Sequence, residues 1–230
     1  MDIIVLFLLF TSPIWLTLLY KYNRYSKSAY KKETNNSFLK VLKDTGLIGE
    51  YYSVEVLVKV KGYHKLLLNC YLPNGREGTS ETDIIFLHET GIYVLESKNY
   101  SGWIFGQEKD KKWCQVFPNK HKEFFYNPIK QNKTHIQMLQ RNLDFVPAQF
   151  FKSVIVFSNR CELKKITVDS QDVVVLKRNQ LSKTINNEIK NLKPVFTIEE
   201  IDHIYQILKP FTNVTTEVKK RHIQKIKSFK

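Results

Sequence analysis

The chain has 230 residues, enough for one domain with a sizeable core plus appendages, and its 43% apolar and 25% charged residues exclude wholesale disorder. Thirty-six Lys and Arg against 22 Asp and Glu leave a net charge of +14, which favours a polyanionic partner without choosing between nucleic acid and an anionic membrane face. The three cysteines, Cys70, Cys114 and Cys161, have no short metal-type spacing and read as thiols in a reducing compartment.

Residues 3–20 carry no charge. As a helix they extend about 27 Å, close to the hydrocarbon thickness of a bilayer. Pro13 is a kink that membrane helices tolerate, and Trp15 and Tyr20 suit an interface. Lys21, Arg24, Lys27, Lys31 and Lys32 follow, whereas Asp2 alone precedes. That asymmetry predicts a single-pass anchor over 1–20 in the cell membrane, with the C-terminal part cytoplasmic. A signal peptide would carry its positive charge before the apolar run, not after it.

Residues 21–37 read as a polar, basic linker. Leu47, Tyr51, Val54 and Val58 then fall at helical spacing, with Glu50 on or beside the stripe. Leu66 to Leu72 is a strand closed by Pro73-Asn74-Gly75, and residues 82–98 form a hairpin turning at Glu89-Thr90. Two short strands are expected over 102–106 and 112–117. Asn127-Pro128 starts a helix, Asn as N-cap and Pro at the first helical position. On it Ile129, Ile136, Leu139 and Leu143 form a core stripe, with Gln131, His135 and Met138 beside them. The runs 153–157 and 173–176 suit buried strands. Helices follow over 180–191 and 197–208, the latter opening on the capping box Thr197 to Glu200. Helix, three or more antiparallel strands, helix, strand, strand and helix make an α/β fold with a mixed sheet. Residues 211–230 form a basic tail. Both the tail and the basic linker are candidates for anionic lipid.

The chemistry concentrates in the hairpin. Alternation and a two-residue loop pair Leu87 with Ile92, Ile85 with Val94 and Asp83 with Glu96, with Lys98 on the same face. Facing carboxylates repel, and a divalent cation is the simplest compensation. Magnesium or manganese takes one or two carboxylates, completing its shell with water and phosphate. Asp83 and Glu96 are therefore the candidate metal ligands. Lys98 is placed to orient water and offset charge on a phosphate, and Glu50 to add a ligand or a base. On spacing alone, a solvated Asp–Lys–Glu edge is an equal alternative. His88 and His135, each alone on its element, read as solvated. Trp103, Trp113, Phe117, Phe124, Phe125 and Tyr126 lie among lysines, a pattern that suits unpaired bases and phosphates. At least half of these aromatics are expected in the core.

Several separated pieces resemble the nuclease-related domain (NERD) family of the PD-(D/E)xK nuclease superfamily. They are Gly46 to Glu50, Glu81 to Ile84, Gly91 to Gly102 with its Glu-x-Lys-Asn, and Asn127 to Asn132 with its Asn-Pro-x-x-Gln. The resemblance, over roughly 47–143, implies a restriction-endonuclease-like αβββαβ core and a DNA-processing role. It implies Asp83, Glu96 and Lys98 as the catalytic set, supported by Glu50 and Gln131. One departure is Ile84, where family members often have His; that neighbour should face away from the site. The resulting layout is an anchor (1–20), linker (21–37), nuclease-related domain (38–150), completing strands and helices (151–210) and tail (211–230). The expected activity is metal-dependent hydrolysis of nucleic acid, DNA by preference. The alternatives are a membrane-tethered nucleic-acid-binding module with weak or no catalysis, and a membrane-surface organiser.

Overall fold

A computed structural model describes the backbone of residues 3–75, 78–212 and 214–228; side chains of residues 3–12, 222, 223 and 225–228 lie outside that description. The elements run α1 (Ile3–Ser26), α2 (Ala29–Thr34), α3 (Phe38–Lys43), α4 (Thr45–Leu57), β1 (His64–Pro73), β2 (Thr79–His88) and β3 (Gly91–Lys98). They continue through β4 (Gly102–Gln107), β5 (Lys112–Val116), β6 (Lys122–Tyr126), α5 (Pro128–Asn142), β7 (Phe151–Phe157), β8 (Cys161–Thr167) and β9 (Val173–Lys177). The chain closes with α6 (Arg178–Asn191), α7 (Ile198–Leu208) and α8 (Thr216–Ser228).

Five strands form a mixed sheet in the order β1-β2-β3-β7-β9, the first three antiparallel and the last two parallel to β3. Alternation along β2 and β3 fills two cores. Ile84, Phe86, Tyr93 and Leu95 pack with Val54 and Leu57 of α4 and Leu181 and Ile185 of α6. Ile85, Leu87, Ile92 and Val94 pack on the other face with Leu139 of α5 and Ile201 and Ile204 of α7. The fold is thus α/β with helices on both faces of the sheet. In chain order α4, β1, β2 and β3 come first, and β4, β5 and β6 intervene before α5 and β7.

Strands β4, β5, β6 and β8 do not extend this sheet. They form a second one, β6-β5-β4-β8, whose inner side chains Ile104 and Trp113 cover Ile155, Phe157 and Ile129. Trp113 stacks on Phe157 with ring centroids 6.1 Å apart. Phe125 packs partly buried against the same cluster, whereas Trp103, Phe124 and Tyr126 are exposed. Strands β6 and β8 were not expected from the sequence.

The N-terminal expectation needs correcting. Residues 21–37 are not a linker: α1 runs unbroken to Ser26, α2 follows, and Tyr25 and Tyr30 are buried in the core beneath α4. Tyr25 meets Tyr51 edge-on at 5.4 Å, and Arg24 pairs with Glu55. The stretch reads as polar because tyrosine carries a hydroxyl, yet each ring buries its apolar body while its tip finds a partner. Among the described residues no helix is long and apolar enough to cross a membrane. Of the expected span, residues 3–12 have side chains outside the described set. Within the tail, residues 216–228 are helical. Cys70 and Cys161 are buried and all three thiols are free.

Candidate active site

The hairpin turns as the sequence requires. Leu87 pairs with Ile92 and Ile85 with Val94. Gly91 has φ +148°, and a Cβ there would lie 2.9 Å from the Phe150 carbonyl oxygen, so the turn needs glycine. His88 is buried rather than solvated: Nε2 donates to the Lys61 carbonyl and Nδ1 accepts from the Thr90 amide. It locks the turn from inside.

At the other end the pairing stops at Ile84 and Leu95, one step before Asp83 and Glu96. The two acids are therefore not a directly facing ladder pair, as the simple register predicts. Strand β1 is irregular at the same level. Leu66 and Leu68 pack under α4, but Cys70 and Leu72 pack on the opposite face. Strict alternation would keep all four together. The change of face falls at Asn69, whose φ is +50° and which, with Asp83 opposite, is missing from the β1–β2 ladder, although the register is the same on either side. It turns the Asn69 amide to Glu50 Oε2 at 3.2 Å.

The frayed end gathers the candidate residues. Asp83 Oδ2 accepts from the Ser97 amide at 2.8 Å, setting the aspartate against the strand between Glu96 and Lys98. Lys98 Nζ lies 2.7 Å from Glu96 Oε1 and donates to Gln131 Oε1 at 3.0 Å. His135, one turn beyond Gln131 on α5, brings Nε2 to 3.2 Å from Glu96 Oε2, and its Nδ1 contacts the Ser80 hydroxyl at 2.8 Å. Glu50 reaches the region from α4, held by the Tyr30 hydroxyl at 3.0 Å. Ile84 is fully buried in the core.

Motif residues with no chemistry of their own fix these positions. Asn127 caps α5 by accepting from the Ile129 amide, and its Nδ2 donates to the carbonyls of Gln107, Glu108 and Asp110. Asn132 Nδ2 donates to the Val94 carbonyl and to Ser153 Oγ, fastening α5 to the sheet. A Cβ at Gly49 would stand 3.0 Å from Asn99 Cβ and Ser97 Oγ, so glycine lets α4 approach the end of β3. Asn99 returns the contact by donating to the Thr45 carbonyl.

The electrostatics follow from burial of unequal charge. Burial, then the neighbouring Glu96 and Glu50, push Asp83 well above the carboxylate range, against the pull of Lys98 and the Ser97 amide. Burial alone would raise Glu96 too, but Lys98 and His135 outweigh it and hold that acid below its ordinary value. Lys98 is penalised by burial, yet Glu96 and Asp83 keep it firmly protonated. Glu50 is pushed up to about 7, chiefly by burial, with Asn69 and Tyr30 opposing. The site thus sets one acid held below its ordinary pKa and a fixed ammonium beside two acids raised above theirs.

Among the described residues no group of three or more His, Cys, Asp or Glu side chains forms a ready-made metal cluster. The donors nonetheless suit a hard divalent cation, which needs only one or two carboxylates when water and phosphate complete its shell. The buried Glu96 Oε2 has no aligned hydrogen bond, and Asp83 is an acid whose ionisation a cation would favour. Asp83 and Glu50 border a cavity of about 340 Å³, also walled by Glu33 of α2 and by Thr212 and Lys219. Lys98 and Gln131 open on a separate cleft of about 910 Å³ against the second sheet.

Asp83, Glu96, Lys98 and Glu50 lie in one region, as does Gln131, which only the family resemblance implies; His135, expected in solvent, is buried beside Glu96. Its spacing of four from Gln131 was the available signal, since such residues share a helix face. Nothing in the text of the sequence pointed to Ser80 or to Tyr30 as partners.

The structure thus places Asp83, Glu96 and a buried Lys98 together at one end of an α/β sheet. Residues 45–158, from the start of α4 to just beyond β7, match the nuclease-related domain (NERD) family. A Bacillus anthracis protein described as uncharacterized is 32% identical over 197 residues, covering 82% of this chain and 88% of its own length. The chain belongs to the nuclease-related domain family. No solved structure matches it.

Proposed function

We propose that this chain is a membrane-anchored nuclease that hydrolyses phosphodiesters of nucleic acid, DNA above all, through a metal-dependent site of the PD-(D/E)xK type. The observation that carries the reading is the Lys98 ammonium, 2.7 Å from Glu96 and 3.0 Å from Gln131 beside the high-pKa Asp83. Asp83 and Glu96 would hold magnesium or manganese, which when bound polarises phosphoryl oxygen and acidifies water. Lys98 faces the negative charge that develops on phosphate. Gln131 accepts from the ammonium and keeps it aimed. Glu50 holds a proton near neutral pH that it can give or take. The charge of +14 supplies long-range attraction for a polyanion. Residues 3–20, uncharged and followed by cations, serve as the anchor, with the folded part on the cytoplasmic side. The basic residues of 21–37 and 211–230 are available to anionic lipid.

The test is cleavage of plasmid, linear and single-stranded DNA by the full chain with magnesium, manganese or EDTA. Metal-dependent cutting that Asp83→Asn and Lys98→Ala abolish is expected. Equal cutting by either variant would falsify the assignment.

One observation favours a second reading, a tethered nucleic-acid-binding module with little catalysis. Both Glu96 oxygens already face a nitrogen, Lys98 on one side and His135 on the other, and these compete with a metal. Salt-sensitive DNA retention with no manganese uptake would select that reading.

A further inference from the structure

The cleft beside Lys98 has a composition that the hydrolytic site does not explain. Lys98 and Gln131 form its inner end, whereas its outer walls come from the second sheet and include Lys111, Lys112, Phe124 and Tyr126. Phe124 is 65% exposed and Tyr126 is 47% exposed. They sit two residues apart on β6, hence on one side of that strand and about 7 Å apart. Strand β6 is an edge strand of its sheet. Phe125, between them, points the opposite way, packing edge-on to Tyr100 at 4.7 Å and to Trp113, and with Tyr100 it lines the inner part of the same cleft. The core therefore takes the middle aromatic and leaves the flanking two in solvent, where aromatic rings on an edge strand are a liability unless used. One acid, Glu123, also lines the cleft, against three lysines, so the net sign remains positive.

We propose that this cleft binds single-stranded nucleic acid, with Phe124 and Tyr126 stacking on unpaired bases and Lys111 and Lys112 on phosphates, and that it delivers the strand to Lys98. Base faces are open to such rings only in an unpaired strand; in a duplex they are closed by neighbouring bases. A groove made for duplex phosphate alone has no use for two exposed rings. Stacking platforms between cations are how sequence-tolerant single-strand binders work. The inference deepens the nuclease reading by naming its substrate class, and it rests on that reading only for the delivery step.

The experiment is fluorescence anisotropy of the full chain with labelled oligonucleotides, single-stranded or duplex of the same sequence, in EDTA so that nothing is cut. Tighter binding of the single strand is expected. Phe124→Ala and Tyr126→Ala should each weaken it by about 5- to 100-fold, with duplex affinity unchanged. Phe124→Trp should retain it. Lys111→Ala and Lys112→Ala should each lower the slope of log affinity against log salt by about 0.7. A duplex bound as tightly as the single strand, or ring variants that weaken both alike, overturns the inference. Because the rings are exposed, these variants should melt like the parent, which circular dichroism checks. The two readings fail separately. Selective binding without metal-dependent cutting keeps this inference and removes the nuclease. Cutting that Lys98→Ala abolishes but Phe124→Ala leaves untouched on both strand types keeps the nuclease and removes this inference.

Discussion

Glu50 is a carboxyl group shut in by α4, α2 and β1, with a tyrosine hydroxyl and an asparagine amide as its hydrogen-bond donors. Two such donors do not offset the loss of water, so its folded-state pKa of about 7 exceeds the ordinary 4.5. The native state thus keeps a proton that the unfolded chain releases between those values. Stability from this group is complete below pH 4.5 and is lost as pH rises through 7, by something on the order of 3 kcal/mol. Glu50→Gln should flatten that part of the profile. Urea titrations of parent and variant at pH 5 and pH 7.5 measure the difference, and parallel curves would show that the acid is not its source. Lys98 is the opposite case. Its ammonium, with the side chain 16% exposed, neutralises Glu96, whose side chain is 2% exposed. Lys98→Met should cost about 3–5 kcal/mol, because it leaves a buried carboxylate with half its compensation. Adding Glu96→Gln should recover much of this, a sign that thermal melting of the single and double variants would read directly.

Elements were legible where one residue type had a single structural use. The Asn-Pro start of α5 is such a case: proline needs no amide donor there, and asparagine supplies both the cap and a side-chain amide. That amide is buried and donates to three carbonyls of the β4–β5 turn, so one residue ties helix to sheet. Asn127→Ala should destabilise by about 2–4 kcal/mol, more than an exposed cap, because carbonyls are left unpaired as well. A loss under 1 kcal/mol in chemical denaturation would mean that solvent replaces those bonds. The hairpin was legible for the same reason, through its alternation and its glycine. Strands β6 and β8 were not. Lys122–Tyr126 and Cys161–Thr167 are edge strands, mostly exposed and carrying lysines that discourage further pairing. Strand β8 carries little of the apolar run by which a strand is recognised, and the aromatic run of β6 sits among lysines with no alternation of apolar and polar residues. The change of face at Asn69 was equally hidden, because asparagine at positive φ looks like any polar residue in a strand. It leaves Asn69 and Asp83 out of the β1–β2 ladder, while Lys98 still meets Glu96 and Gln131.

At the scale of the whole molecule, the N-terminal helices belong to the domain that they lead into. Tyr25 and Tyr30 are buried among Tyr51, Val54 and Phe38, and the Tyr30 hydroxyl reaches Glu50. Glu33 of α2 pairs with Lys209 beyond α7, so both ends of the chain wall the cavity holding Glu50 and Asp83. An anchor at the start of α1 would then be joined to the site by continuous helix and packed side chains rather than by a flexible tether. The composition of residues 21–37 conceals this, since tyrosine among lysines reads as a solvated stretch. The consequence is a choice of boundary. A chain cut to residues 37–230 loses two buried aromatics, each worth about 3–5 kcal/mol when truncated in a core, and exposes Tyr51 and Val54. A chain cut to 21–230 keeps both. The longer fragment should melt cooperatively and retain any nuclease or binding activity. The shorter should melt at least 10 °C lower or aggregate, at about 2–4 °C per kcal/mol for a chain of this size. If both fragments melt together in a thermal scan, the packing of α1 and α2 on α4 contributes nothing to the fold, and the rigid connection between anchor and site is lost with it.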